Sequence, residues 1–150
     1  ALTISTYKGQ PASQHNQMIS NTIHQGGQLT TDSAAIGVYG LSSYNRVANN
    51  TIVGYRGEGI IITDAGQGGL CRGNEVIENT IRNTARCGIM VMGAKDTNVQ
   101  ANQVGHASQS SPGSFAGIDV RSAGSFGTQV CAQTRIFDNL ACTFLDNTTN

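Results

Sequence analysis

The sequence predicts an all-β solenoid, in which about five coils of three short strands wind around one core. An Asn-centred motif recurs as "NQMISNTIHQG" from Asn16, "NRVANNTIVGY" from Asn45 and "NEVIENTIRNT" from Asn74. A second motif recurs between these copies, as "AIGVYG", "GIIIT", "GIMVM" and "GIDVR". No segment keeps the 3.6-residue period of a helix for long enough to form one. Both motifs therefore indicate short strands that return once per coil.

Three strands per coil follow from the apolar pattern around these motifs. The first strand lies at the second motif, where Ile89 and Val91 point inward at period two. The second strand precedes the recurring Asn, and its inward positions are Met18, Val47, Val76, Val99 and Ile136. The third strand follows that Asn, at Thr22-Ile23, Thr51-Ile52, Thr80-Ile81, Gln103-Val104 and Leu140-Ala141. Each strand is expected to pair in parallel with its counterpart about 4.8 Å away in the next coil.

The recurring Asn has a structural explanation. The second Asn of each motif forms the series Asn21, Asn50, Asn79, Asn102 and Asn139, at intervals of 29, 29, 23 and 37 residues. The backbone must bend sharply between the second and third strands, and Asn tolerates a left-handed conformation better than any residue except Gly. Amides stacked at one corner can also hydrogen-bond from coil to coil. We expect an asparagine ladder here rather than a ligand site.

Composition and length limit the possible partners. Nine basic and nine acidic residues cancel and do not cluster, which disfavours nucleic acid or an anionic membrane as a partner bound through bulk charge. No apolar run is long enough for a membrane span. The 150 residues suit one domain, residues 1–150. We interpret this domain as a section of a longer chain, because neither end carries an evident capping segment.

The N-x-[IV]-x-x-N-x-[IV] and G-I-x-V motifs together resemble the repeats of right-handed parallel β-helices of the pectate lyase-like superfamily, from about Leu2 to about Cys142. The resemblance implies a right-handed parallel β-helix at an extracellular location or a cell or virion surface. It implies binding of a polysaccharide, and its degradation or modification by a lyase or glycoside hydrolase. The superfamily also contains scaffolds, so fold alone does not choose the activity. The alternative is a non-catalytic structural or adhesive section of a larger fibre, tailspike or surface protein.

In that superfamily the substrate groove generally runs along the outer face of the first sheet and its flanking loops. Alternation along the strands sends Met90 and Met92 outward, and the same parity sends Asp119 and Arg121 outward. The catalytic candidates on or beside this face are Asp119, Arg121, Lys95 and Asp96. The substrate-binding candidates are Tyr39, Arg56, Glu58, Asp64, Arg86 and His106.

These candidates fit two chemistries and do not decide between them. A uronan lyase or epimerase needs a base together with a cation or Ca²⁺ that neutralises the sugar carboxylate, and Arg121 and Lys95 fit that need. A hydrolase needs two carboxyl groups about 5 to 9.5 Å apart, and Asp119 with Asp96 is the candidate pair. The alternative for Asp119 and Arg121 is an exposed ion pair of minor energetic weight. Zinc-ligand spacings do not occur, so no zinc site is predicted.

Three apolar residues on the predicted outer face are expected to be buried by another group. Ile61, Met90 and Met92 lie in neighbouring coils and would form a patch that a soluble domain rarely leaves bare. A sugar ring, a missing part of the chain or a second subunit of a homo-oligomer would cover it. The loops "HQGGQLTTDSA" and "HASQSSPGSF" are rich in Ser, Gln and Gly and are the candidates for groove walls.

The four cysteines allow two interpretations. Cys71 and Cys131 occupy the same turn two coils apart, which is too distant for a bond between them. Cys71 with Cys87, and Cys131 with Cys142, are possible disulfides that would suit an extracytoplasmic setting. Buried thiols stacked in the core are the alternative.

Overall fold

The computed structural model describes residues 1–6, 9–26, 33–64, 68, 71–123, 131–141 and the backbone of 144–147. Across these residues the chain forms sixteen strands in three parallel sheets, and no helix. Sheet 1 contains β1 Leu2–Thr6, β4 Ala34–Gly40, β7 Glu58–Thr63, β10 Ile89–Met92, β13 Ile118–Arg121 and β16 Phe144–Asn147. Sheet 2 contains β2 Gln17–Ile19, β5 Arg46–Ala48, β8 Glu75–Ile77, β11 Asn98–Gln100 and β14 Arg135–Phe137. Sheet 3 contains β3 Thr22–His24, β6 Thr51–Val53, β9 Thr80–Arg82, β12 Gln103–Gly105 and β15 Leu140–Ala141.

Successive strands visit sheets 1, 2 and 3 in turn, so the chain winds as a solenoid of five coils, as predicted. β16 then adds a sixth strand to sheet 1, beyond the five coils that the repeats indicated. The predicted register is also confirmed, because Ile60 pairs with Ile36 on one side and with Ile89 on the other. In sheet 2, Val76 likewise pairs with Val47 and Val99.

The core lies inside the three sheets and is built from stacked aliphatic columns. Its largest fully buried side chains are Ile36, Ile52, Ile60, Ile62, Ile81, Ile89, Ile118, Val38, Val47, Val76, Val91 and Val99. At Gly59 and Gly88 the packing requires the glycine that precedes the Ile of the second motif, whereas the first copy of the motif has Ala35 there. A Cβ on Gly88 would lie 2.2 Å from Val104 Cγ1, and a Cβ on Gly59 would lie 2.7 Å from Ile81 Cγ2. Sheets 1 and 3 therefore approach too closely at Gly59 and Gly88 for a side chain.

The asparagine ladder runs through the whole corner between sheets 2 and 3. Asn50 donates its backbone N–H and its Nδ2–H to the same atom, Asn79 Oδ1, at 3.0 and 2.9 Å. Its Nδ2 also donates to the carbonyl oxygen of Met18 at 2.9 Å, so the side-chain N–H donors of the buried amide are satisfied. The same contacts join the remaining pairs, which are Asn21 with Asn50, Asn79 with Asn102, and Asn102 with Asn139.

The corner bends where we expected, but the expectation that the ladder Asn takes the left-handed conformation is wrong. Positive φ falls on the preceding residue, namely Ser20, Asn49, Glu78, Ala101 and Asp138, with φ between 53° and 57°. The bend one residue earlier turns the Asn side chain toward the core. It also aligns the backbone N–H and Nδ2–H of each Asn with one oxygen of the next coil.

A second, shorter ladder occupies the corner between sheets 1 and 2, and the sequence analysis did not predict it. Asn16 donates through N–H and Nδ2–H to Asn45 Oδ1, both at 3.0 Å. Asn45 donates in the same way to Asn74 Oδ1, at 3.0 and 3.1 Å. The next position is Thr97, whose Oγ1 donates instead to the carbonyl oxygen of Lys95, so the ladder ends at Asn74.

Candidate functional site

The outer face of sheet 1 carries the residue columns that parity predicted. One column runs through Gly37, Ile61, Met90 and Asp119, and the next runs through Tyr39, Thr63, Met92 and Arg121. A third column begins with Ala34 and Glu58, which are register partners. Cys87 follows Glu58 in this column, because it precedes Ile89 by the same two residues that separate Glu58 from Ile60.

The apolar residues of this face are covered by the chain itself, which corrects the expectation that a sugar, missing chain or a second subunit must cover them. Ile61 is 9% exposed and Met90 is 4% exposed. Both pack in one cluster with Ala34 and Cys87, and Phe115 packs against its edge. Tyr39 and Met92 are half-buried at the same cluster. A sugar ring or a second subunit is therefore not needed to bury Ile61 and Met90.

The segment that covers this face is the connection between β12 and β13. It is hydrogen-bonded to the turn that leads into β10, because Ser108 N–H donates to the carbonyl oxygen of Arg86 at 2.9 Å and Ser110 N–H donates to that of Ala85 at 3.0 Å. Phe115 then reaches the outer cluster. The loop "HASQSSPGSF" thus stands beside sheet 1, as a groove wall would. Most of the other proposed wall, residues 27–32, lies outside the described residues.

Asp119 and Arg121 form an ion pair through Asp119 Oδ2 and Arg121 Nη2. The ion pair that we gave as the alternative for these residues is present, but it is only half exposed, because the Asp119 side chain is 1% exposed and that of Arg121 is 37% exposed. Cys87 Sγ also donates to Asp119 Oδ2, at 3.7 Å. Within the described part of the chain, Asp119 Oδ1 and Arg121 Nε are buried without a hydrogen-bond partner. Asp119 therefore serves as a buried anchor for a partly exposed guanidinium.

Arg86 and Glu58 repeat this arrangement at the other end of the strands. Arg86 Nε lies 3.2 Å from Glu58 Oε1, and the Glu58 side chain is buried whereas Arg86 is partly exposed. The guanidinium carbon of Arg86 lies 5.1 Å from the centroid of the Phe115 ring, which is a cation–π distance. Two arginines on the outer face of sheet 1 are thus each held by a buried carboxylate.

The cysteines near this face are buried thiols. Cys71, Cys87 and Cys131 form no disulfide, and Cys142 lies outside the described residues. Burial, together with the charge of Asp119, raises the pKa of Cys87 to about 12. Cys87 is therefore a neutral thiol at ordinary pH and not a nucleophile. The proposed pair of Cys71 with Cys87 is wrong because Cys71 packs in the central core and Cys87 in the outer cluster.

The remaining candidates are spread over three places. Asp64 is buried directly after β7, where its Oδ2 accepts the N–H of Gly68 at 3.1 Å. Lys95 and Asp96 lie at the corner between sheets 1 and 2, and Asp96 lines a cleft against sheet 2. Arg56 and His106 lie at the corners that follow strands of sheet 3. The carboxyl pair of Asp96 and Asp119 is therefore divided between the sheet 2 side and the outer face of sheet 1.

Two residues of the outer face were missed by sequence reasoning. The signal for Cys87 was present, since it occupies the same position before the second motif as Glu58. Phe115 carried no repeat signal, because it lies in a connection that has no counterpart in the other coils. Its role is visible only where the connection folds back onto sheet 1.

A search of the described residues for three or more His, Cys, Asp or Glu side chains placed to hold a metal ion finds no such group. Within the same residues, no helix is long and apolar enough to cross a membrane. Among the described residues, the outer face of sheet 1 carries two arginines that are each held by a buried carboxylate.

Comparison with known proteins supports the architecture. The profile of the family described as right-handed beta helix region matches residues 3–141. The comparisons with curated proteins and with solved structures gave no match. The matched residues run from β1 to the end of β15, and they include every coil of the three parallel sheets. The chain therefore belongs to the right-handed β-helix family.

Proposed function

We propose that this protein is an extracellular β-helix that binds an acidic polysaccharide along the outer face of sheet 1 and cleaves or modifies it. The observation that carries the proposal is the pairing of the partly exposed Arg121 with the buried Asp119. A buried carboxylate fixes the plane of the guanidinium. Because Nε is buried, the fixed fork then presents the remaining N–H donors of its two Nη atoms to a carboxylate of the sugar chain.

Local geometry, rather than bulk charge, is the basis of this recognition. The chain has no net charge, and each arginine on this face is neutralised by its own anchor. Long-range attraction of a polyanion is therefore weak, whereas bidentate contact to one sugar carboxylate remains available at Arg121. The second anchored arginine, Arg86, lies on the same face beside the Phe115 wall and supplies a further contact for an extended chain.

The arrangement favours lyase chemistry over hydrolysis. Asp119 and Glu58 are buried and engaged by arginines, so neither is placed to protonate a leaving group. A lyase instead needs the uronate carboxylate neutralised, which Arg121 would do, and a base near the neighbouring C–H. Lys95 is the candidate base, because it follows Met92, the register partner of Arg121, by three residues. Ca²⁺ would be an additional source of positive charge for the bound carboxylate.

Affinity electrophoresis through gels containing polygalacturonate or alginate tests the binding step. We expect Arg121→Gln to weaken retardation at least about tenfold, or about 1.4 kcal/mol. The matched control is Arg82→Gln, which removes the same charge from an exposed residue of sheet 3 and should leave binding unchanged. The double variant Asp119→Asn/Arg121→Gln removes both charges, so that no unpaired carboxylate remains to disturb folding.

Incubation with the bound polymer tests the chemical step, with the unsaturated product followed by its ultraviolet absorbance. Wild type should form product, and Arg121→Gln and Lys95→Ala should not. Binding without product would instead support the alternative, a non-catalytic adhesive section of a larger surface protein. Failure to bind any acidic polymer, or equal binding by Arg121→Gln and Arg82→Gln, would refute the proposed site.

A further inference from the structure

We propose a second carbohydrate-binding surface at the corner between sheets 1 and 2, where a neutral glycan chain would lie along the solenoid axis. We call this surface the corner groove. It is formed by the outward column Gln17, Arg46, Glu75, Asn98 and Arg135 of sheet 2 and by the corner residues just before it. This inference goes beyond the proposed function and does not depend on Arg121.

The groove consists of two clefts on the same structural columns. One cleft of about 370 Å³ lies in the first three coils, beside Tyr44, Arg46 and Glu75. The other, of about 470 Å³, lies in the last two coils, beside Asn98, Gln133 and Arg135. Glu75 and Asn98 are register partners in adjacent strands, so the two clefts are neighbours along the column. Together they span five coils, which suits a polymer better than a small molecule.

The polar groups of the groove indicate an uncharged ligand. Arg46 forms an ion pair with Glu75, and both side chains are exposed. Arg135 and Asp96 in the second cleft carry opposite charges as well, so the lining has no net charge. Planar amides, guanidinium groups and a carboxylate follow one another along the column, which provides both donors and acceptors for hydroxyl groups. An acidic chain would instead meet Glu75 and Asp96.

An ordered aromatic pair forms one end of the groove. The rings of His15 and Tyr44 stack with centroids 5.6 Å apart and planes 11° from parallel. Tyr44 is 45% exposed, although its ring also packs over Gly73, where a Cβ would lie 2.5 Å from Tyr44 Cδ1. Contact on both sides holds the ring before any ligand binds, which reduces the entropy lost on binding. Because both sides of the ring are in contact, its exposed edge is the part that would meet a sugar.

The second cleft contains oxygens whose hydrogen bonds are incomplete. In the described part of the chain, Asn98 Oδ1 and Thr134 Oγ1 are buried and have no hydrogen-bond partner. Both residues line the cleft. A buried acceptor without a donor costs about 1–3 kcal/mol. A hydroxyl donor supplied by a bound chain would recover that free energy.

An extended peptide is a poorer fit than a glycan. The strands next to the groove are paired on both sides, as β11 is with β8 and β14. Their backbone N–H and C=O groups already form hydrogen bonds within the sheet. A peptide therefore cannot add as a further strand there. A ligand there must bind through side chains, as sugars do.

Affinity electrophoresis with dextran, xylan and galactomannan tests the corner groove. We expect at least one of these polymers to retard the wild-type protein. Tyr44→Ala and Arg135→Ala should each weaken that retardation at least about tenfold. The matched controls are Arg82→Ala and Leu140→Ala, which alter exposed residues of sheet 3 and should retain wild-type binding. Thermal unfolding of each variant verifies that it is folded, and Arg135→Gln replaces Arg135→Ala if that variant is not.

The acidic polysaccharide site at Arg121 and the corner groove can be refuted independently of each other. Arg121→Gln should leave binding of the neutral polymer unchanged, whereas the groove variants should leave binding of polygalacturonate or alginate unchanged. If no neutral polymer retards the protein, or if Tyr44 and Arg135 variants behave as the sheet 3 controls do, the corner groove is refuted. That result would not affect the acidic polysaccharide site at Arg121.

Discussion

At the scale of single residues, each corner between sheets 2 and 3 depends on two adjacent residues, the ladder Asn and the residue before it. The residue before the ladder Asn takes the left-handed backbone conformation, as Glu78 does with φ 55°. The Asn itself then supplies one oxygen that accepts two N–H donors from the preceding coil, as Asn79 does for Asn50. Left-handed φ costs a non-glycine residue about 1–2 kcal/mol, and the ladder hydrogen bonds offset that cost.

Replacing one inner rung should therefore destabilise the whole corner. We expect Asn79→Ala to lower the free energy of unfolding by about 2–4 kcal/mol, because both buried donors of Asn50 lose their acceptor. Asn16→Ala is the matched control, since Asn16 is exposed at the first rung of the second ladder, and it should cost less than about 1 kcal/mol. Urea unfolding measures both values, and equal losses would argue against a structural role for the ladder.

At the scale of strands, sheet 1 is placed by the glycines at the start of its repeats. Gly59 and Gly88 lie where sheet 1 approaches Ile81 and Val104 of sheet 3. The outward residues Glu58 and Cys87 directly precede these glycines. At this point sheet 1 therefore lies against sheet 3 on its inner side and carries the carboxylate that holds Arg86 on its outer side.

Gly88→Ala tests this close approach. Its new Cβ would lie 2.2 Å from Val104 Cγ1 and 2.8 Å from the carbonyl oxygen of Gly117. We expect a loss of about 2–3 kcal/mol in the free energy of unfolding, because backbone and core must both shift. Gly105→Ala is the control, since its nearest neighbour would be Arg82 Cγ at 3.9 Å, and it should stay within about 1 kcal/mol of wild type. If Gly88→Ala left the free energy of unfolding unchanged, the close packing of Gly88 against Val104 would be contradicted.

At the scale of the whole molecule, sheet 1 separates two apolar clusters. The central core lies inside the solenoid and includes Cys71, whereas the outer cluster lies beneath the β12–β13 connection and includes Cys87. Burial, together with the charge of Asp64, raises the pKa of Cys71 to about 12. Both clusters thus hold thiols whose ionised form is incompatible with the folded state.

Alkaline pH should consequently destabilise the protein through these thiols. Their pKa values are raised from the ordinary value of 9.0 to about 12 in the folded state. The stability they confer is thus complete below about pH 9 and is lost as the pH rises toward 12. From pH 8 to pH 10 we expect each thiol to account for about 1.4 kcal/mol of lost stability.

The variant Cys71→Ala isolates this effect. Its free energy of unfolding in urea should fall less than that of wild type between pH 8 and pH 10, whatever its stability at pH 8. Cys87→Ala should behave in the same way for the outer cluster. Identical pH dependence in wild type and both variants would show that the thiols ionise without cost in the folded protein.

The repeats by themselves determined the solenoid, the register of its strands, the Asn21 to Asn139 ladder and the outward parity of Asp119 and Arg121. These features follow because apolar residues alternate along each strand and each motif recurs once per coil. Parallel pairing then places equivalent residues of neighbouring coils side by side. Handedness came from the resemblance to known β-helices. The ladder at Asn16, Asn45 and Asn74 could have been found in the same way, since its residues open each motif.

Only the tertiary structure decided what covers the outer face and which charges meet there. The burial of Asp119, the pairing of Arg86 with Glu58 and the contact of Phe115 depend on a connection between coils that has no repeat. The path of the corner likewise separates Asp96 from Asp119. Periodicity predicts where a repeated residue lies, because its neighbours are its own equivalents. Periodicity cannot predict the contacts of the β12–β13 connection, because this long loop has no equivalent in the other coils.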